Sequence, residues 1–211
     1  MTASQPIAGI LLAGGRSSRM GGGDKGLRPL AGEPILQRII ERLAPQVSAM
    51  VINANGEPSR FARFGLPVVA DGVAGYAGPL AGVHAGLEWV KGNHPDLAYA
   101  VTVATDTPFL PSDLVSRFLA EADGELRLMV ARSGEGVHPV IGLWPVSLAK
   151  GLEASLGQGA RTASKWVAAH GAVEVLFPDV EIGGRRIDPF FNINRPEDLA
   201  AAEGWLQAEA S

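Results

Sequence analysis

Residues 7–27 read IAGILLAGGRSSRMGGGDKGL, and no other stretch limits so strongly what the chain can fold into. Ile7, Ile10, Leu11 and Leu12 form a run without a polar side chain, the composition of a strand buried on both faces of a parallel sheet. Gly14 and Gly15 let the backbone leave that strand through dihedrals closed to bulkier residues. Gly21, Gly22 and Gly23 keep the following loop bare, so that backbone N–H groups can close on an anion. Arg19 and Lys25 add positive charge in two shapes, a planar fork and a mobile point charge. A glycine cluster alone would equally suit a surface loop. The fixed order of apolar strand, glycine pair, arginines, glycine triplet and lysine is a layout for handling polyphosphate.

Two familiar phosphate loops do not fit. A Walker A loop needs Ser or Thr after its Gly-Lys pair to hold magnesium, whereas Asp24 precedes Lys25 and Gly26 follows it. Gly21, Gly23 and Gly26 spell G-x-G-x-x-G, but they lie well past Leu12, and a dinucleotide fingerprint begins in the turn directly after its strand.

With 211 residues and 46% hydrophobic content, the chain can bury a large core and reads most simply as one domain over 1–211. A net charge of −4 gives no broad basic face for nucleic acid, so the positive charge near residues 16–28 stands out locally and suits a small anion. The absence of cysteine excludes disulfides, thiolate metal ligands and a cysteine nucleophile. No stretch approaches ~18 continuous apolar residues and residues 1–9 lack a secretory pattern, so the expectation is a cytoplasmic protein without a membrane partner.

Along the chain, Glu33-Pro34 is expected to open a helix whose buried face carries Ile35, Leu36, Ile39, Ile40 and Leu43. Residues 49–53 read as a strand ending in Asn53, and 67–70 as a strand ending at Asp71. Strand, helix, strand repeated in this way predicts an open α/β sheet, in which ligands bind beyond the carboxyl ends of the strands, where Leu12, Asn53 and Asp71 would meet. Asparagine and aspartate are also common turn residues. A helix is expected from Pro79, in which Ala81, Gly82, Ala85 and Gly86 are small; the glycines lower helix propensity, a cost that a ligand lying against them explains better than the sheet does. His84, within it, receives no role. The strongest strand, 97–105, delivers Asp106 into DTPFLP, where Pro108 and Pro111 stop the ladder. A carboxylate fixed there suits a magnesium ligand facing a cationic loop, or alternatively the cap of an Asx-turn.

Residues 112–122 read as a helix, and 127–131 and 137–143 as a hairpin around Ser133-Gly134-Glu135-Gly136, with His138-Pro139 opening its second strand. Beyond Pro145 the texture suggests helices and loops, with helices over 146–156 and 160–169. Arg161 and Lys165 share one face of the second, as a solvated surface or as a receiver for a second substrate's phosphate. PFFNINRPEDL reads as a short strand, Asn192, Asn194 and a proline-started helix.

LAGGRSSRMGGGDKGL resembles the signature loop of the molybdenum cofactor guanylyltransferases, nucleotidyltransferases with a Rossmann-like fold. Related cytidylyltransferases usually carry Leu-Ala-Ala-Gly, so the Gly14-Gly15 pair leans toward guanine. GPLAG at 78–82 resembles the segment beside the base, DTPF at 106–109 the magnesium-binding motif, and NINRPEDL the family's Asn-x-Asn-Thr-Pro-Glu-Asp-Leu, with Arg195 in place of threonine. The resemblance implies a single three-layer Rossmann-like domain with a mostly parallel sheet and an antiparallel element. It puts the nucleotide half at about 1–110 and the acceptor half at about 111–211. Leu12, Ala13, Gly14 and Gly15 would meet the nucleotide together with Asn53 and Asp71. Lys25 and Arg19 would stabilise phosphate charge, Asp106 would bind Mg2+, and Arg161, Lys165, Asn192 and Asn194 would face the acceptor. The implied reaction transfers GMP from GTP to molybdopterin or molybdenum cofactor, releasing pyrophosphate, with cofactor-biosynthesis or acceptor molybdoenzyme proteins as candidate partners. The other readings are a cytidylyl- or sugar-phosphate nucleotidyltransferase, and a GTP-binding regulatory module without chemistry.

Overall fold

The computed structural model describes residues 6–14, 24–72 and 78–210. Gly15 and Arg19 lie outside them. The first strand, β1 (Ala8–Leu12), is followed by a two-residue ladder, β2 (Pro29–Leu30) with β3 (Glu33–Pro34), and by helix α1 (Ile35–Leu43). Pro34 pairs with Pro29 in that ladder and caps the helix, so α1 begins one residue after the expected proline start. Then come β4 (Ala49–Asn53), a 3-10 segment (Pro58–Phe64), β5 (Val68–Val69), α2 (Pro79–Asn93) and β6 (Tyr99–Ala104). The second half holds α3 (Leu114–Ala122), β7 (Met129–Ser133), β8 (Gly136–Pro145), α4 (Ala149–Gly157), α5 (Ala163–Ala169), β9 (Val173–Leu176), the hairpin β10 (Val180–Ile182) with β11 (Arg185–Ile187), and α6 (Pro196–Glu209).

One seven-stranded sheet runs in the order β5-β4-β1-β6-β8-β7-β9. Pairing is parallel throughout except that β8 runs against both neighbours, β6 and β7. The expected hairpin is therefore present, and it is built into the main sheet. Period-2 alternation sends Ile7, Leu11, Val101 and Val103 into one core with α1 and α3, and Ala8, Ile10, Val51 and Trp144 into another with α2, α4 and α5. Helices thus cover both faces, the arrangement a parallel sheet needs.

Two expectations for the last third are corrected. Residues 173–187 hold three strands where helices and loops are expected, and residues 188–195 hold no strand. The backbone of that segment makes local contacts, Phe190 N–H to Asp188 Oδ1 (2.7 Å) and Phe191 N–H to the Asp188 carbonyl (3.1 Å). Its one long-range bond is from Ile193 N–H to the Asp106 carbonyl (2.9 Å), so the segment serves the neighbouring turn and joins no ladder.

Candidate active site

The register fixes where the site lies. Val69 pairs with Asn53, Asn53 with Leu12, and Leu12 with Ala104, so the last residues of four parallel strands form one row. The chain builds outward from β1 to β4 and β5, then returns to place β6 on the other side of β1. That reversal is a topological switch point, and a crevice opens there beyond the strand ends. Ala13 N–H bonds to the Asn53 carbonyl (2.8 Å), and Thr105 closes on the Leu12 carbonyl through its N–H (3.3 Å) and hydroxyl (3.2 Å).

On the β6 side the loop's lysine meets the carboxylate. Lys25 Nζ lies 3.1 Å from Asp106 Oδ2 and also donates to Asn194 Oδ1. Both members of the ion pair are about one-fifth exposed, 18% and 21%. The approach depends on Gly26, which is buried against Thr105 and Leu36; a β-carbon there would stand 3.1 Å from the Thr105 β-carbon. Asp106 is held by its flanks. Thr107 caps the strand through its hydroxyl to the Ala104 carbonyl (2.9 Å). Farther along, Arg42 donates to the Leu110 carbonyl (3.1 Å), and the Gln46 side chain bridges the Pro111 carbonyl (3.0 Å) and Val115 N–H (3.0 Å).

On the β4 side, Asn53 is 2% exposed and donates to Asp71 Oδ1 (2.9 Å) and the Val69 carbonyl (3.3 Å). Asn55, which sequence reasoning missed, closes the group by donating to Asp71 Oδ2 (2.7 Å) and accepting from Asp71 N–H (2.9 Å). Its signal was available in Asn53-Ala54-Asn55, two amides flanking a strand exit.

The glycines divide by cause. A β-carbon on Gly82 would stand 2.2 Å from Asn53 Oδ1, and one on Gly86 2.5 Å from Ile10. The sheet, not a ligand, therefore explains these two small residues of α2. Gly14 is the reverse case: it is exposed, a β-carbon there meets nothing within 4 Å, and no left-handed backbone requires glycine. His84 is buried in α2, and neither of its ring nitrogens has a hydrogen-bond partner among the described residues.

The acceptor candidates fall apart into two pairs. Arg161 and Lys165 are exposed, and α5, which carries Lys165, packs into the core that contains α2; the Arg161 carbonyl lies beside Gly78. Asn192 and Asn194 flank Ile193, which belongs to the opposite core. A cavity of about 440 Å³ opens there, lined by Arg186, Asp188, Phe190, Phe191, Asn192 and Trp205 among others. His138 stands beside its Phe190 wall, 4.7 Å between rings, with Nε2 2.7 Å from the Ser133 hydroxyl. Burial lowers the His138 pKa below its usual 6.5, against the pull of Asp188 and Glu135. Arg195 does not disturb the entry of α6: Asp198 Oδ2 accepts from Asn194 N–H (2.9 Å) and Arg195 N–H (2.8 Å).

A metal ion would find one well-placed ligand. No group of three or more His, Cys, Asp or Glu residues among the described residues could enclose an ion. At the end of β6, Asp106 presents a carboxylate oxygen, which would suit magnesium, an ion that takes one or two carboxylates and completes its shell with water and substrate phosphates.

A family model described as a MobA-like NTP transferase domain matches residues 9–174. A molybdenum cofactor guanylyltransferase of Mesorhizobium japonicum is 50% identical over 97% of this chain and 98% of its own length. The protein of that name from Bradyrhizobium sp. (strain ORS 278) is 49% identical over 96% and 95%. Among solved structures, the molybdopterin-guanine dinucleotide biosynthesis protein A of Archaeoglobus fulgidus has the same fold, with a TM-score of 0.68 at 22% identity, covering 94% of this chain and 97% of that one.

Proposed function

Because the chain belongs to the MobA-like NTP transferase family, we propose that it transfers GMP from GTP to molybdopterin or molybdenum cofactor, giving the guanine dinucleotide cofactor and pyrophosphate. The observation that carries this reading is the contact of Lys25 with Asp106 and Asn194 at the switch point, where a phosphate-binding cation, a metal-binding carboxylate and an acceptor-side amide meet.

The nucleoside lies over Leu12, Ala13 and Gly14, next to the Asn53–Asp71 pair, in the space left open above Gly14. Arg19 and Gly15, on the loop between Gly14 and Asp24, are assigned to the phosphates on their sequence positions. Without substrate, Lys25 and Asp106 neutralise each other. With substrate bound, Lys25 would turn to the phosphates, and the Asp106 carboxylate would be the group to hold Mg2+. The ion supplies charge neutralisation at the phosphate oxygens. An oxygen of the acceptor's terminal phosphate attacks the α-phosphorus in line; the bond to the acceptor oxygen forms as the bond to pyrophosphate breaks. Lys25 stabilises the negative charge that builds on the leaving pyrophosphate. No protein nucleophile takes part, and the chain contributes positioning and fixed charge.

The acceptor enters on the Asn194 side. The cavity with Phe191 and Trp205 on its wall offers aromatic surface to a flat ring system, and Arg186 offers a cation to a phosphate. Arg161 and Lys165, across the sheet, are assigned to the nucleotide side of the crevice, near Gly78.

Pyrophosphate release tests the reading. Purified protein with magnesium, GTP and molybdopterin is expected to release pyrophosphate; GTP alone, CTP or UTP, or sugar phosphates as acceptors are expected to release little. Release with CTP, or with a sugar phosphate, would reassign the enzyme, and GTP binding without release would make it a regulatory module.

A further inference from the structure

Arg60 sits on the 3-10 segment Pro58–Phe64, away from the glycine loop in sequence, and nothing in the local sequence marks it out. Its guanidinium is nevertheless almost fully committed to protein. Nε bonds Asp24 Oδ2 at 2.5 Å and Nη2 reaches Asp24 Oδ1 at 3.4 Å, a fork on a carboxylate. Nη2 also donates to the Asn55 carbonyl (2.6 Å), and Nη1 to the Glu57 carbonyl (3.1 Å). The group lies 4.9 Å over the ring of Phe61, which is fully buried. Gly56 completes the seat: its φ is +87°, and a β-carbon there would stand 2.9 Å from Arg60 Nη1. An arginine so engaged has little left to offer a ligand.

Its two ends belong to different parts of the crevice. Asp24 immediately precedes Lys25, and Asn55 is bonded to Asp71, which is bonded to Asn53. We infer that Arg60 is a positioning residue that ties the phosphate loop, through Asp24, to the exit of β4, and so sets where Lys25 stands relative to the bound nucleoside. The inference rests on the reading that Lys25 serves the phosphates and Asn53 and Asp71 the base. A lysine at position 60 keeps the charge and cannot make the fork.

The test is calorimetric and needs no acceptor. Arg60→Lys, Asp24→Asn and the double variant are titrated with magnesium-GTP and, separately, with GMP. Each single change is expected to weaken magnesium-GTP about tenfold, the scale of a lost charge-assisted bidentate bond, while GMP changes less than about twofold. The double variant is expected to be no weaker than the worse single one, because both cut the same link. Asp24→Asn, which leaves Arg60 and its seat in place, provides the same comparison should Arg60→Lys fold poorly. Unchanged magnesium-GTP affinity, additive losses, or equal weakening of both nucleotides would each overturn the inference, the last by making Arg60 a support for the base side alone. Absence of pyrophosphate release by the wild-type protein would count against the proposed reaction and leave this affinity pattern standing.

Discussion

Lys25 and Asp106 are each other's counter-ion, so truncating either leaves a partly buried charge without its partner as well as removing a group that the proposed mechanism uses. Lys25→Ala and Asp106→Ala are each expected to cut turnover by about a hundredfold or more, measured as pyrophosphate release under saturating GTP. The glycines give a sharper pair of expectations. Gly82→Ala forces a methyl onto Asn53 and is expected to destabilise the fold by about 1–3 kcal/mol in denaturant unfolding. Gly14→Ala meets open space; its stability should stay within about 0.5 kcal/mol of wild type while GTP affinity falls. A stability loss at Gly14, or none at Gly82, would reverse their assignments. These two roles were not separable in the sequence. Both glycines interrupt apolar runs, and only packing distinguishes a residue small for the sheet from one small for a ligand.

At the scale of elements, the regular pieces were legible where one periodicity held over several residues and its ends were marked. β4 has the expected bounds and α2 the expected start, because Asn53 ends an apolar run and Pro79 opens a helix. β9, β10 and β11 were not, since runs of three or four residues with charges at Glu174, Glu181, Arg185 and Arg186 look like loops until β7 or a partner strand stands beside them. The β8 strand carries a testable pH response. Its pairing with β7 shifts register between Val130 and Ala131, next to Pro139, which has no N–H to give a ladder. His138 precedes that proline and is held below its usual 6.5 by burial. Because the unfolded chain binds the proton more tightly, the stability this site contributes is complete above pH 6.5 and is lost as pH falls through the lower folded value. Thermal unfolding of wild type and His138→Gln over this range should show a steeper acid-side decline for wild type. Parallel curves would remove His138 from the balance.

For the whole molecule, the α/β class and the convergence of Leu12, Asn53, Asp71 and Asp106 were readable, because a parallel sheet puts all its carboxyl ends on one edge. The link from Lys25 to Asn194 was not: residues far apart in sequence carry no shared local pattern. That topology also orders the ligands. On the proposed mechanism Lys25 competes with magnesium for Asp106, so a triphosphate that draws the lysine away favours the ion. Calorimetry should therefore find weak or no magnesium binding to the wild-type protein without nucleotide, and clear magnesium-dependent tightening with GTP. Equal magnesium affinity in both states would mean that the ion pair does not guard the site.

The Lys25–Asn194 contact spans 169 residues, and Lys25–Asp106 spans 81. Contacts of such separation carry a larger loop-closure cost than local helices and neighbouring strands do. During synthesis β1, β4 and β6 precede residue 194, so the contact of Lys25 with Asn194 has to wait until that residue has been added. The lysine socket is thus closed across the sequence, the loop after β1 meeting the entry of α6.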